Sequence, residues 1–313
     1  MIRFYSHIKS KKIFARIVLF IYCIIPAYQE NLFTQNKDKE IIIGYSKNLF
    51  VGFNINDAKV AASLMGDALL KESPHKTTSI SIVINSMDEV VELVKSNKLD
   101  YVSMTAIEFI SARNRTKIYP YCVPVNRDNV LNRLLLLVRK NSGIKSVVDL
   151  KNKMISSFSS LDEEYKVQTL WLKTLFWNNK IKNVNRFLSS LRVRENPQVI
   201  ISDVFFKNSD ACVIFESEFE TLKELNPQLE KDLMILSYSE PLLTEIGCYT
   251  ENSKNDPDLD YNIKTTYELS RSTHGRNLLK LLKIKQLLPY KDEYLKNTEK
   301  LFQEYNLLKQ KYL

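Results

Sequence analysis

Beyond position 38 the chain alternates short β-type runs with amphipathic helical patterns, and this alternation restricts the fold more than any other feature. Ile41 to Tyr45, Ser79 to Ile84 and Asp100 to Met104 read as buried strands. Asp57 to Lys71 and Met87 to Ser96 read as the helices between them, Asn56 or Asp57 capping the first. Such β-α-β-α-β order predicts an α/β fold with mostly parallel strands. A helix at Ala106 to Arg113 and a strand at Ile118 to Val125 complete the first unit. A second unit follows: strands at Leu134 to Val138, Met154 to Phe158 and Ala211 to Phe215, a helical turn at Ile144 to Leu150, and helices at Asp162 to Trp177, Gln198 to Phe206 and Glu218 to Leu225. Strands at Leu233 to Ser237 and Glu245 to Thr250 precede helices at Asn262 to Ser272, Arg276 to Lys285 and Glu293 to Leu313. No internal repeat interrupts this order.

The 313 residues suffice for two lobes with cores of their own. The six glycines include no GxGxxG or Walker spacing, which argues against a nucleotide phosphate cradle. A formal charge of +9 suggests nucleic acid until it is dissected. Five of the 45 basic residues lie in the first 29 positions, which hold no acid, leaving 40 against 36 acids interspersed with them. That pattern is a solvated surface, so no nucleic-acid partner is expected.

Arg3 to Arg16 supply a basic segment, Ile17 to Ile25 nine uninterrupted apolar residues, and Pro26-Ala27-Tyr28-Gln29 a cleavage zone. This is the order of a secretory signal and is too short to span a bilayer as a helix. The expectation is export, with residues 1–29 as signal peptide or, uncleaved, as a membrane tether. Cys122, Cys212 and Cys248 each sit in an apolar strand-like run with no CxxC, and read as small buried hydrophobes. No spacing of Cys, His, Ser or acids marks a catalytic or metal site, so no enzyme activity, metal or cofactor is expected.

Several phrases together resemble the phosphate/phosphonate-binding family of periplasmic solute-binding proteins of ABC importers. IIIGYSKN resembles its first strand and ligand loop, and SMDEVVELVKSNKLDYVSMTAIEFI its helix, Asp, strand and small polar residues. LLLLVRKNSGIKSVVDLKNKMIS is similar to the strand re-entering with an Asp-Leu-Lys block. DVFFKNSDACVIFES resembles its Asp-Ala block, and SYSEPLLTEIGCYT the return crossing. The resemblance implies the two-lobed type II periplasmic binding protein fold, with lobe one at 38–125 plus 238–313 and lobe two at 126–237. It further implies closure on a solute held by Tyr45, Ser46, Ser103, Thr105, Ser157, Ser159, Ser160 and Asp210, and a permease as membrane partner. In this family a Ser/Thr-rich turn with glycine opens the long helix of lobe two. Here the turn is Ser156-Ser157-Phe158-Ser159-Ser160-Leu161-Asp162-Glu163-Glu164-Tyr165, without glycine and with three carboxylates. Ser160 and Glu163 are spaced as a capping box, and acids favour a helix N-terminus. The same acids, beside a cleft, oppose an anion and favour an amine, which Tyr45, Tyr165 and Phe215 could flank. The expected ligand is therefore a phosphonate-like anion or, with altered specificity, an amine. The alternative is a sensory or adaptor domain of the same fold acting through a sensor protein at the membrane.

Overall fold

The computed structural model describes residues 39–50, 55–70 and 77–312; the expected signal segment, with Cys23, lies outside them. In chain order the first body contains β1 (Lys39–Ser46), α1 (Ile55–Leu70), β2 (Thr77–Ile84), α2 (Met87–Lys95), β3 (Tyr101–Thr105), α3 (Ala106–Ala112) and β4 (Ile118–Val125). Residues 126–133 cross to the second body. There follow β5 (Leu134–Arg139), β6 (Met154–Ser157), α4 (Val167–Asn178), α5 (Val184–Phe187), β7 (Ser190–Val193), α6 (Pro197–Phe205), β8 (Ala211–Phe215), α7 (Glu216–Leu225), α8 (Gln228–Asp232) and β9 (Leu233–Tyr238). Residues 239–244 return to β10 (Glu245–Thr250), α9 (Leu259–Glu268), α10 (Thr273–Leu281), β11 (Gln286–Pro289) and α11 (Asp292–Tyr312). The two crossings run side by side, joined by reciprocal Asn132 and Leu242 backbone hydrogen bonds of 2.9 Å.

One sheet has the order β11-β4-β10-β3-β1-β2 and the other β7-β6-β8-β5-β9. Both are mixed, where the sequence pattern predicts mostly parallel strands. β1 with β3 and β6 with β7 and β8 are parallel, but β4, β5, β9 and β10, the strands that abut the crossings, pair antiparallel. A chain that leaves one sheet and comes back must re-enter in the reverse direction. β5 (LLLLV) is buried along its whole apolar length, as expected of a central strand covered on both faces.

The expected helix at Asp162 to Trp177 begins only at Val167; residues 161–166 form turns. Tetrapeptide β11, within the expected gap between two helices, adds an unexpected edge strand, as does β7. Both runs are too short for periodicity to reveal. Cys122, Cys212 and Cys248 are buried and unpaired, and burial pushes their thiols up.

α11 packs across both bodies. Leu295 belongs to the apolar cluster over the first sheet with Val90, Met104 and Phe109, whereas Leu301 and Tyr305 join the cluster of Leu134, Trp171 and Trp177 over the second. Thr298 Oγ1 accepts from Leu243 N at 2.9 Å and Asn297 Nδ2 donates to Pro241 O at 3.0 Å, so the helix also lies along the second crossing.

Candidate interlobe binding site

The C-terminal ends of β1 and β3 and the N-terminal end of antiparallel β10 form one edge of the first sheet. Tyr45, Ser103 and Gly247 occupy one row there, with Thr105 and Glu245 opposite each other two rows on, beyond Met104 and Ile246. Thr105 caps α3 in a capping box with Glu108. Glu108, only 2% exposed, gathers the edge around itself. One oxygen accepts from Ser46 Oγ and Asn48 Nδ2, both at 2.7 Å, and the other from Thr105 N at 2.9 Å with Thr105 Oγ1 at 3.0 Å. A buried carboxylate is tolerable only with such a full set of donors.

The second body meets this edge with residues 157–166. Ser157 and Ser159 are buried, and Thr169 Oγ1 lies 2.9 Å from Ser159 Oγ and 2.7 Å from Ser160 O. Ser160 N–H donates to Glu163 Oε2 at 2.7 Å, so the expected Ser160 and Glu163 pairing closes a local turn rather than a helix start. Glu164 pairs with Lys309 of α11. The acids therefore close a turn or tie to the C-terminal helix, instead of filling the first turn of α4.

Two hydrogen bonds join the facing strand ends of the two lobes, apart from those that α11 makes through Lys309 and Glu304. Lys166 Nζ donates to Asn48 O at 2.9 Å, and Thr105 Oγ1 lies 3.3 Å from Tyr165 O. The threonine has one proton to share between that carbonyl and Glu108, which makes the lysine contact the stronger link. Burial lowers the Lys166 ammonium's affinity for its proton, while Glu163, Glu108 and Glu245 restore part of it. Glu245 is half-buried, no described residue hydrogen-bonds its carboxylate, and burial pushes it up to about 7 against the pull of Lys166.

Of the expected binding residues, Ser46, Ser103 and Thr105 from one lobe and Ser157, Ser159 and Ser160 from the other lie at the facing strand ends. Tyr45 is packed in the apolar cluster of Ile41, Met65 and Tyr101, tilted against Phe50 at 6.4 Å. Its buried hydroxyl has no partner among the described residues, and burial pushes it up. Asp210 immediately precedes β8, at the end remote from the cleft, where it accepts from Met154 N at 2.9 Å; its expected ligand role gives way to a strand clamp. Asp100 does the same for Ile42 N at 2.8 Å. Asn48, Glu108, Lys166 and Glu245 were not singled out from sequence. The Thr105-Ala106-Ile107-Glu108 capping-box spacing was a readable sign of one of them.

Two sheets whose strand ends face each other across paired crossings define a two-lobed binding protein of mixed α/β class. Residues 65–295 match the family described as ABC transporter, phosphonate, periplasmic substrate-binding protein. The chain thus belongs to the phosphonate-binding family of periplasmic ABC-transporter substrate-binding proteins, a family of transport receptors rather than enzymes. Its fold is similar to that of a binding-protein component of an ABC phosphonate transporter from Pseudomonas aeruginosa, at TM-score 0.60 and 11% identity, covering 88% of this chain and 90% of that one. PhnD1 from Prochlorococcus marinus, solved in complex with methylphosphonate, gives TM-score 0.57 and 14% identity, covering 86% and 98%. A Xanthomonas citri protein solved bound to ATP, XAC2383, gives 0.61 and 10%, covering 87% and 99%. No curated protein matches the sequence. No helix of the described residues is long and apolar enough to cross a membrane.

Proposed function

We propose that the protein is the extracytoplasmic solute receptor of an ABC importer and closes its lobes on a small acidic solute of the phosphonate type. The observation that carries this reading is the meeting of Lys166 with the Ser46, Asn48 and Thr105 edge, which puts an ammonium and hydroxyls from both lobes at one place. An ammonium with N–H groups to spare is the donor an oxyanion takes, whereas the Ser46 and Thr105 protons are already directed at Glu108. The acidic turn gives less opposition than its composition implies, since Glu164 is engaged by Lys309 and Glu163 by Ser160 N–H. Family membership and the methylphosphonate complex of a similar fold support the same class. The permease follows from the family's role in import, and an exported location from the family and the basic-apolar N-terminus.

Calorimetric titration of the protein with methylphosphonate, phosphate, ethylamine and glycine tests the reading. Saturable heat with an acid, lost in Ser159→Ala with Ser160→Ala, is expected; binding of ethylamine alone would refute it. The adaptor reading is favoured by one observation, that α11 and Lys166 join the lobes through the chain's own side chains. Absence of heat with every solute, together with capture of a membrane sensor, would establish it instead.

A further inference from the structure

Lys166 is placed unlike a surface lysine. It precedes α4 as its N-cap residue, so its backbone is fixed by the turn at 160–166 and by the helix behind it. Its side chain crosses to the other lobe and ends on a backbone carbonyl, Asn48 O at 2.9 Å, which belongs to the short turn after β1. That carbonyl is held in place from behind, because Glu108 takes the Asn48 side-chain amide at 2.7 Å and Asn48 N–H donates to Ser46 Oγ at 3.1 Å. Glu108 and Glu245 of one lobe and Glu163 of the other all lie within electrostatic reach of the ammonium. Glu245 has no hydrogen-bond donor among the described residues. A fixed carbonyl that accepts one N–H, with three carboxylates in electrostatic reach, holds a primary ammonium and leaves its other N–H groups without an acceptor among the described residues.

We propose that Lys166 is a specificity-determining residue of the interlobe site: its ammonium is a tethered occupant of the place a solute's amine would take, so the native cleft excludes amines. The seat belongs to the chain itself. Its remaining N–H groups are then the ones a compact acidic solute meets, and this second half rests on the receptor reading above. Removing the side chain beyond Cβ vacates the volume of one propylammonium ion and leaves the carbonyl and carboxylates in place.

The test is chemical rescue in the full chain. Lys166→Ala should melt lower than the native protein. Propylammonium chloride at about ten times its dissociation constant should raise that melting point by roughly 3 °C over sodium chloride of equal ionic strength. The native protein should show no rise, and sodium propionate should have no effect on the variant. No rise in the variant, or an equal rise in the native protein, overturns the proposal. Should Lys166→Ala fail to fold, mass spectrometry of the native protein under limiting acetylation decides it. Lys166 should react many-fold more slowly than exposed Lys145, and equal rates overturn the proposal. Titration of the native protein with methylphosphonate stands apart from both: its failure removes the receptor reading and leaves the lysine seat, whereas failed rescue removes the seat alone.

Discussion

Replacing Glu245 with glutamine should make the folded protein more stable at alkaline pH and leave it unchanged at acid pH. Burial raises this carboxyl from the usual 4.5 to about 7 in the folded chain. Between those values the folded chain keeps a proton that the unfolded chain releases, so stability falls as pH climbs through the window and the loss is complete above it. A displacement of this size corresponds to about 3 kcal/mol for a fully buried group. Glu245 is half-buried, and solvent screening reduces the figure to about 1 to 2 kcal/mol. Glutamine keeps the shape without the charge, so urea unfolding should show the variant gaining this amount at pH 8 and nothing at pH 4. Equal or lower stability of Glu245→Gln at pH 8 would refute the reasoning, since it would mean that ionised Glu245 has a partner worth more than its desolvation costs.

Tyr45→Phe should leave solute affinity intact and stabilise the fold by about 1 kcal/mol in denaturant unfolding, because it removes a buried hydroxyl without a partner; lost affinity would return Tyr45 to the binding residues. Asp210→Ala should cost about 1 to 3 kcal/mol by stranding Met154 N–H, with no change in solute affinity by calorimetry. Tyr305, 2% exposed and 5.4 Å from Trp177, anchors α11 to the second lobe, so Tyr305→Ala should cost about 3 to 5 kcal/mol in the same unfolding assay. Thr105→Val should cost about 1 kcal/mol through the lost cap and weaken lobe closure, read as a larger radius of gyration in solution scattering.

Strand and helix order was legible from pattern and length: LLLLV is an apolar run of covered-strand length, and MDEVVELVK has the spacing of a one-sided helix. The family likeness was legible for the same reason, in phrases that each span one element and its turn. The candidate site was legible only in its small hydroxyl residues. Lys166 looks in sequence like one more solvated lysine, and its role arises because the expected helix starts five residues late, at Val167, aiming the preceding side chain across the cleft. Glu245 shows no local sign, since the cation it interacts with, Lys166, lies on the other lobe and far away in sequence. The absence of repeats was also too strong a reading. Asp100 with Glu108-Phe109 and Asp210 with Glu218-Phe219 share one spacing, and each aspartate clamps the backbone N–H of a neighbouring parallel strand.

That shared spacing shows how the two lobes have diverged at the cleft. Each glutamate lies in the first turn of the helix that follows the aspartate's own strand, α3 after β3 and α7 after β8. Glu108 is saturated by four donors, one from the last residue of β1 and one from the turn after it. Glu218 retains one buried oxygen with no partner among the described residues, and burial pushes it up to about 7, with Lys283 of the first lobe pulling against it. The lobe with the satisfied glutamate can hold a fixed carbonyl for Lys166, and the other has no equivalent because Ser159 and Ser160 face Thr169 instead. The two sides of the cleft therefore have different tasks: the first lobe supplies a rigid acceptor, and the second supplies the cation that reaches it. α11 then limits how far the two can separate, because Leu295 and Thr298 are buried on the first lobe and second crossing while Leu301 and Tyr305 are buried on the second lobe. Opening wide enough to expose Tyr305 would cost several kcal/mol of apolar burial. On the proposed receptor reading, opening is then a movement about the line of α11 in which the Lys166 to Asn48 contact is lost.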